Sequence, residues 1–197
     1  MRSLAFEFSI SAILFWIVYL SWCLSEILGS LRHKAGDPAH KQDHGSVSLL
    51  IGAFYVGTFF NFASLWWFPA AAITWNRPLL FGISLVLMVA GILLRQHAIR
   101  TLGRFFTREV AVCPDQAVVQ SGPYKFIRHP GYAGTMLTTL GFGLAMTNWA
   151  SFVLTMLCFF IGHLYRIAVE ERALRASLGQ AYVEYMRHTR RLIPFVF

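Results

Sequence analysis

Long apolar runs dominate the pattern of hydrophobic and polar positions along this chain. The runs cover residues 4–28, 47–73, 79–94, 131–146 and 151–168. A helix crosses the roughly 30 Å hydrocarbon core of a bilayer with about 20 residues, and several of these runs reach that length. The pattern predicts an all-α integral membrane protein with about five transmembrane helices, of which the last two form a tight hairpin.

Polar residues and prolines mark where these runs end. Pro69 is expected to end or bend the second helix. Residues 101–129 are polar, and the chain is charged and amphipathic from Glu170 onward. Three basic residues at the end of the third run indicate a helix that emerges into water: Arg95, His97 and Arg100.

The composition narrows the class of protein. Hydrophobic residues make up 56% of the chain and charged residues 13%, whereas soluble domains carry about 25% charged residues. This composition excludes disordered and fibrous classes and argues against a soluble fold. Cys23, Cys113 and Cys158 are too scattered for a disulfide framework or a metal site. We therefore assign the cysteines to packing and expect no bound metal.

The basic residues lie mostly on one predicted side of the membrane. The chain has 17 Lys and Arg against 9 Asp and Glu, a net charge of +8. If residues 31–45, 95–128 and the tail share one side, only Arg2 and Arg77 lie on the other. The positive-inside rule makes the basic side, with the C-terminus, cytoplasmic. We attribute the excess to topology and to anionic membrane lipids, and expect no nucleic-acid partner.

The segment Gly122-Pro123-Tyr124-Lys125-Phe126-Ile127-Arg128-His129-Pro130-Gly131-Tyr132 precedes the fourth run. Pro130 biases His129 away from helical geometry and suits a first helical turn, so the fourth helix is expected to begin there. The N–H groups of that turn, with Arg128 and His129, would favour an anion. The alternative is a basic membrane-interface anchor followed by a proline helix start.

The fifth predicted helix carries His163, Arg166, Glu170 and Leu174 at steps of three, four and four, which share one helical face. Ionisable groups near membrane depth are costly and commonly face a cavity or a partner, so Arg166 and Glu170 are functional candidates. The alternative for these two is a self-neutralising pair at the interface. For His163 alone, a packing role is favoured.

Three charged residues fall off this face. They lie beyond the apolar run, where headgroups or water are the expected surroundings. We therefore expect exposure for Glu171, Arg172 and Arg175.

The motifs of the second half follow in a recognisable order. They are Gly122-Pro123-Tyr124, Arg128-His129-Pro130 with Tyr132 and Gly134, Glu170-Glu171, Leu178-Gly179, Tyr182, Tyr185 and Arg191-Leu192-Ile193-Pro194. In this order and spacing, residues 100–197 resemble the isoprenylcysteine carboxyl methyltransferase family and its phospholipid-methyltransferase relatives. The first two predicted helices carry no such signal.

The resemblance implies an integral membrane enzyme that uses S-adenosyl-L-methionine to methylate a carboxylate. The implied acceptor is a lipidic substrate entering from the bilayer, most simply a prenylated cysteine. The cofactor pocket would be cytoplasmic and formed by residues 101–130 and the C-terminal helix. Residues 1–100 would then hold three transmembrane helices, and residues 101–197 the catalytic region. The family has no glycine-rich Rossmann turn, and none is found here.

Individual residues carry over from the family's motifs. The segment whose backbone contacts the cofactor matches Gln116, Ala117, Val118 and Val119. The central cofactor pocket matches Tyr124, His129, Pro130, Gly131 and Tyr132. Glu170 matches a cofactor-binding acid, and Arg166 matches the residue that positions the acceptor carboxylate. Gln116 stands where many members have His, and Leu178 replaces a common Phe.

The chemistry agrees with these residues. An α-carboxylate has a pKa of about 3.5 in water, so it is ionised at neutral pH and needs no general base. Methyl transfer to it neutralises an anion and a cationic sulfonium, which a water-poor site favours. Arg166 would hold a carboxylate through two parallel hydrogen bonds, and Glu170 would pair with the amino group of the methionine moiety.

Three alternatives remain open at this point. The first is methylation of another lipidic oxygen, nitrogen or sulfur. The second is an NADPH-dependent membrane reductase of the sterol type, with a basic pocket from Arg95, Arg100, Arg104 and Arg108. The third is a non-catalytic membrane scaffold or transporter.

Overall fold

A computed structural model describes residues 10–32, 45–107 and 115–193, with side chains of the first range up to residue 29. The described ranges contain six α-helices. They are α1 (Ile10–Arg32), α2 (Ser46–Trp67), α3 (Arg77–Leu102), α4 (Pro130–Ala145), α5 (Trp149–Leu178) and α6 (Gln180–His188). Arg2, Arg108, Cys113 and Pro194, which entered the sequence predictions, lie outside these ranges.

The first five helices correspond to the five predicted apolar runs. Of the described helices, α1, α2, α3 and α5 are long and apolar enough to cross a membrane. Helix α4 has 16 residues, which span about 24 Å at 1.5 Å per residue. It is therefore shorter than the roughly 30 Å hydrocarbon core.

Two helix ends differ from the predicted runs. Helix α2 ends at Trp67 rather than residue 73, because Pro69 begins a separate 3₁₀ turn, Pro69–Ala71. Helix α5 is one continuous helix of 30 residues and runs to Leu178, well past the apolar limit at residue 168. Gly179 ends it with a positive φ of 56°, a backbone conformation that glycine adopts without strain.

Helices α3 and α4 approach each other closely because small residues line their contact. A Cβ atom added to Gly134 would lie 2.7 Å from the Gly91 carbonyl oxygen and 2.7 Å from the Arg95 nitrogen. One added to Gly141 would lie 2.4 Å from the Ser84 carbonyl oxygen. Helix backbones can approach this closely only where the facing residues are small. The end of α3 that carries Arg95 is thereby held against the first turns of α4.

Helix α1 is attached to the other helices by aromatic rings. Tyr19 stacks on Phe142 of α4 with ring centroids 5.2 Å apart. Trp22 lies edge-on to Phe54 of α2 at 5.6 Å and within 6.3 Å of Phe159 of α5. Such ring pairs contribute about 0.5–1.5 kcal/mol each beyond the area they bury. They set the position of the turn that follows Trp22.

Candidate active site

A cleft opens where the C-terminal half of α3 meets the start of α4, the second half of α5 and α6. It encloses about 900 Å³, counting its mouth open to solvent. Predicted site residues contribute Gln116, Ala117, Val118, Val119, Tyr124, His129, Gly131, Tyr132, Arg166 and Glu170 to its lining.

One predicted site residue, Pro130, is absent from the lining. It is buried and starts α4, while its neighbours His129 and Gly131 face the cleft. His129 is the N-cap residue with φ −124°, as the Pro130 rule predicted.

Tyr132 joins the two charged residues of the predicted α5 face. Its hydroxyl donates a 2.6 Å hydrogen bond to Glu170 Oε2 and accepts a 3.1 Å bond from Arg166 Nε. Arg166 also donates from Nη1 to Ser46 Oγ of α2 at 2.6 Å. Its side chain is buried, with 3% exposure, whereas the Glu170 side chain is 30% exposed. The cleft therefore holds a fixed buried cation beside a carboxylate that solvent and ligands can reach.

His163 lies one turn before Arg166 and packs instead of lining the cleft. Its ring is stacked on Phe159 and meets Tyr132 edge-on at 5.5 Å. Its Nδ1 atom lies 2.8 Å from the Phe159 carbonyl oxygen within the same helix. These contacts agree with the packing role that the sequence favoured.

The prediction that Glu171 is exposed is wrong. Its side chain is 1% exposed and accepts hydrogen bonds from Arg128 Nε at 3.0 Å and Arg191 Nη2 at 3.0 Å. His129 Nε2 lies 3.4 Å from the same carboxylate. Glu171 lies off the apolar face of α5, but the C-terminal segment folds back and covers it. Arg172 and Arg175 are exposed, as expected.

The C-terminal segment is bound to the segment that precedes α4. Arg128 N–H donates to the Arg190 carbonyl at 2.7 Å, and His129 N–H donates to the Arg191 carbonyl at 3.0 Å. The Tyr185 hydroxyl of α6 donates to the Tyr124 carbonyl at 2.7 Å. With Glu171, these bonds fix the segment carrying Tyr124 and His129 against α5 and α6.

Arg95 also departs from its expected surroundings. Its side chain is 16% exposed and lines the cleft, whereas His97 and Arg100 are exposed as predicted. Sequence reasoning had placed Arg95 in water because it follows an apolar run. Its partner, Glu26, is 69 residues earlier in the chain, a distance at which no helical periodicity applies.

Nine other lining residues were not named individually by the site prediction. They are Leu102, Phe105, Phe106, Thr107, Arg128, Leu174, Leu178, Tyr182 and Tyr185. Arg128, Leu178, Tyr182 and Tyr185 belong to the quoted motifs, and Leu174 lies on the predicted α5 face. For Leu102, Phe105, Phe106 and Thr107 the sequence carries no signal beyond their place in the polar stretch.

Burial alters the acidity of the tyrosines around the cleft. It raises the pKa of Tyr124 and of Tyr182 well above the usual range, and nearby Glu170 raises that of Tyr124 further. Burial raises the pKa of Tyr185 to about 12. All three phenols are therefore neutral near pH 7 and keep their hydroxyl protons for hydrogen bonds.

Known proteins resemble this chain over the same region. A model of the isoprenylcysteine carboxyl methyltransferase (ICMT) family matches residues 84–176. Protein-S-isoprenylcysteine O-methyltransferase B of Arabidopsis thaliana is 30% identical over 118 residues, which are 59% of this chain and 59% of the plant protein. The Homo sapiens protein-S-isoprenylcysteine O-methyltransferase is 30% identical over 142 residues, which are 70% of this chain and 48% of the human protein.

The fold is similar as well. The solved structure of the eukaryotic intramembrane Ras methyltransferase ICMT matches with a TM-score of 0.60 and 30% identity, covering 74% of this chain and 52% of that chain. This chain therefore spans about half to three fifths of the length of these relatives. Its apolar helices and this neighbour make it an integral membrane protein. From the first half of α3 to near the end of α5, the chain therefore matches the isoprenylcysteine carboxyl methyltransferase family.

Proposed function

We propose that the protein transfers a methyl group from S-adenosyl-L-methionine to the carboxylate of a lipid-borne acceptor, with a prenylated cysteine as the acceptor class. The observation that carries this proposal is the Arg166–Tyr132–Glu170 chain of hydrogen bonds. It sets a cation for an acceptor carboxylate beside an anion for a cationic donor. The names of the relatives support the same reaction and do not favour a reductase or a scaffold.

The chemistry of the cleft fits the cofactor. S-adenosyl-L-methionine supplies a methyl group on a cationic sulfonium and also carries an ammonium, a carboxylate and a planar adenine. Glu170 offers an accessible carboxylate for the ammonium group. Phe105, Phe106 and Tyr182 offer apolar surface for the adenine. Residues 116–119, the segment carried over from the family, line the same cleft.

The residues of the chain would act by positioning. The acceptor carboxylate is ionised at neutral pH, so no residue has to remove a proton. A C–O bond forms while the C–S bond breaks, and the two opposite charges disappear together. Arg166 would hold the carboxylate, while Tyr132 keeps Arg166 and Glu170 at a fixed spacing. The burial of Arg166 excludes water, which strengthens its interaction with the carboxylate.

We also propose that the cleft and the C-terminus face the cytoplasm. Among the residues that the structure describes, the cleft end of the molecule carries Arg100, Arg104, Lys125 and Arg187, while Arg77 starts α3 at the other end. The positive-inside rule supports this orientation. The division of the chain at residue 100 stays a prediction.

The test is direct binding of S-adenosyl-L-methionine, and in parallel NADPH, to the detergent-purified full chain. We expect saturable S-adenosyl-L-methionine binding that weakens at least about tenfold in Glu170→Gln, since a charge-assisted bond contributes about 1.5–3 kcal/mol. Glu184→Gln is the matched control, because Glu184 is an exposed α6 carboxylate paired with Arg187 and His188. Binding of NADPH alone would support a reductase, and binding of neither would support a scaffold or transporter.

Methyl transfer to a prenylcysteine analogue tests the acceptor class separately. The same protein is incubated with labelled cofactor and an N-acetylated S-prenylcysteine. We expect a base-labile methyl ester as the product. If the analogue neither accepts the methyl group nor inhibits, this acceptor class is wrong even when cofactor binding is observed.

A further inference from the structure

A carboxylate of α1 holds a cation of the cleft. Glu26 accepts two hydrogen bonds from Arg95, one from Nε to Oε1 and one from Nη2 to Oε2, the latter at 2.7 Å. Two parallel bonds of this kind fix the plane of a guanidinium as well as its position. Glu26 is 34% exposed and lies outside the set of residues that line the cleft.

The other edge of the Arg95 guanidinium points toward the start of α4. Nη1 donates to the Gly131 carbonyl at 3.3 Å, next to Tyr132 in the chain. Thr135 Oγ1 donates to the same carbonyl at 3.1 Å. Arg95 thereby connects α1, α3 and the turn of α4 from which Tyr132 enters the cleft.

Aromatic packing fixes the part of α1 that carries Glu26. It follows Trp22 by one helical turn, and Trp22 is packed against rings of α2, α4 and α5. Helix α1 lies outside the segment that matches the family, residues 84–176. Glu26, which lies outside the family match, therefore contacts Arg95, which lies inside the match and lines the cleft.

We infer that Glu26 is a positioning residue for the methyl-transfer site, acting through Arg95. This inference rests on the proposed function. With Glu26 in place, the Arg95 guanidinium is held in one orientation beside Gly131. When the negative charge of Glu26 is removed, Arg95 loses the two parallel hydrogen bonds. Its guanidinium can then turn away from the first turn of α4. A displacement of about 1 Å at a reacting centre costs as much as 100-fold in rate.

The test compares Glu26→Gln with the wild-type full chain in lipid nanodiscs, using an N-acetylated S-prenylcysteine as acceptor. We expect kcat/KM for the acceptor to fall roughly 10- to 100-fold, while the Kd for S-adenosyl-L-methionine changes less than about threefold. Glu184→Gln, which removes an exposed ion pair far from Arg95 in the sequence, should keep the wild-type rate.

A double variant separates positioning from a general loss of stability. If Glu26 acts through Arg95, the variant Glu26→Gln with Arg95→Gln should be no slower than Arg95→Gln alone, within about twofold. Two independent losses that multiply would overturn the inference. So would a Glu26→Gln enzyme with the wild-type kcat/KM, and either result would leave the proposed function standing.

If Glu26→Gln does not fold, Glu26→Asp takes its place, since it keeps the charge but withdraws it by one methylene. It should then also lower kcat/KM at an unchanged thermal midpoint, because the withdrawn carboxylate no longer makes both hydrogen bonds to Arg95, and a wild-type rate would overturn the inference. Wild-type protein that binds the cofactor but methylates no acceptor would overturn the proposed function and this inference together.

Discussion

Tyr132 links the two charged residues of the cleft, because its hydroxyl contacts both Arg166 and Glu170. The phenol accepts from the cation and donates to the carboxylate, so neither charged group has to bond the other directly to be held in place. Removal of this hydroxyl should leave the ring packed against His129 and His163. The change therefore isolates the hydrogen bonds from the packing.

We expect Tyr132→Phe to lower kcat for methyl transfer roughly 10- to 100-fold, the range for loss of a hydrogen bond to a charged group. Steady-state rates with saturating cofactor measure this. Tyr165→Phe serves as the control, because Tyr165 lies on α5 with 43% exposure outside the cleft. Equal rates for Tyr132→Phe and wild type would show that the bridging hydroxyl has no role in turnover.

Arg166 gives the sharper test of role assignment. Arg166→Ala should abolish turnover while largely sparing cofactor binding, since Glu170 and the backbone near residue 117 remain. Arg166→Lys should also be impaired, because an ammonium group cannot make the two-point contact of a guanidinium. Calorimetric cofactor binding and turnover are measured on the same samples. Parallel loss of both would assign Arg166 to the cofactor instead of the acceptor.

At the scale of elements, the junction of α5, α6 and the C-terminal segment depends on Glu171. Arg128, Arg175 and Arg191 form ion pairs with this buried carboxylate, and His129 Nε2 lies 3.4 Å from it. Loss of one partner from a buried ion pair costs about 3–5 kcal/mol, because the other charge stays buried. Glu171 therefore holds the C-terminal segment against α5, in addition to lying next to the cleft.

We expect Glu171→Gln to lower the free energy of unfolding by about 3 kcal/mol. It should also raise protease susceptibility after Arg187 and Arg190, because the C-terminal segment loses its hold on residues 126–129. Denaturant titration in detergent and limited trypsin digestion measure the two effects. Arg172→Gln is the exposed control on the next residue of α5. Unchanged digestion of Glu171→Gln would contradict this account.

Tyr185 makes the same junction sensitive to alkali. Its folded-state pKa is raised to about 12, above the unfolded value of about 10. Its contribution to stability is therefore complete below about pH 10 and is lost as the pH rises from about 10 to 12. Unfolding midpoints between pH 8 and 12 should fall less steeply for Tyr185→Phe than for wild type. Parallel curves would contradict the assignment.

Prediction from the sequence succeeded where one helix carries the information. The α5 face with Arg166 and Glu170 follows from helical periodicity, and the start of α4 follows from Pro130. Glu171 and Arg95 were misplaced because their surroundings come from distant segments, residue 191 in one case and Glu26 in the other. Helical periodicity predicts the faces of a single helix and does not predict which other segment packs against it.

At the scale of the whole molecule, charge and apolar length predict how the chain lies in a bilayer. Arg187 of α6 lies at the cleft end, and Trp75 lies in the turn before α3 at the other end. In a variant with Cys23, Cys113 and Cys158 replaced by Ser, Arg187→Cys should react with a membrane-impermeant thiol reagent only from the cytoplasmic side. Trp75→Cys should react only from the opposite side. Labelling of both from one side would contradict the proposed topology.

The close approach of α3 and α4 determines how the chain can vary during evolution. At Gly91, Gly134 and Gly141, a single methyl group would meet the backbone or a side chain of the facing helix at 2.4–2.7 Å. A library covering every substitution should therefore show these three positions as intolerant, although none of them lines the cleft. The distance between Arg95 and Tyr132 is therefore fixed by glycine positions that take no part in the reaction. Neutral substitutions elsewhere in α3 and α4 leave this distance unchanged.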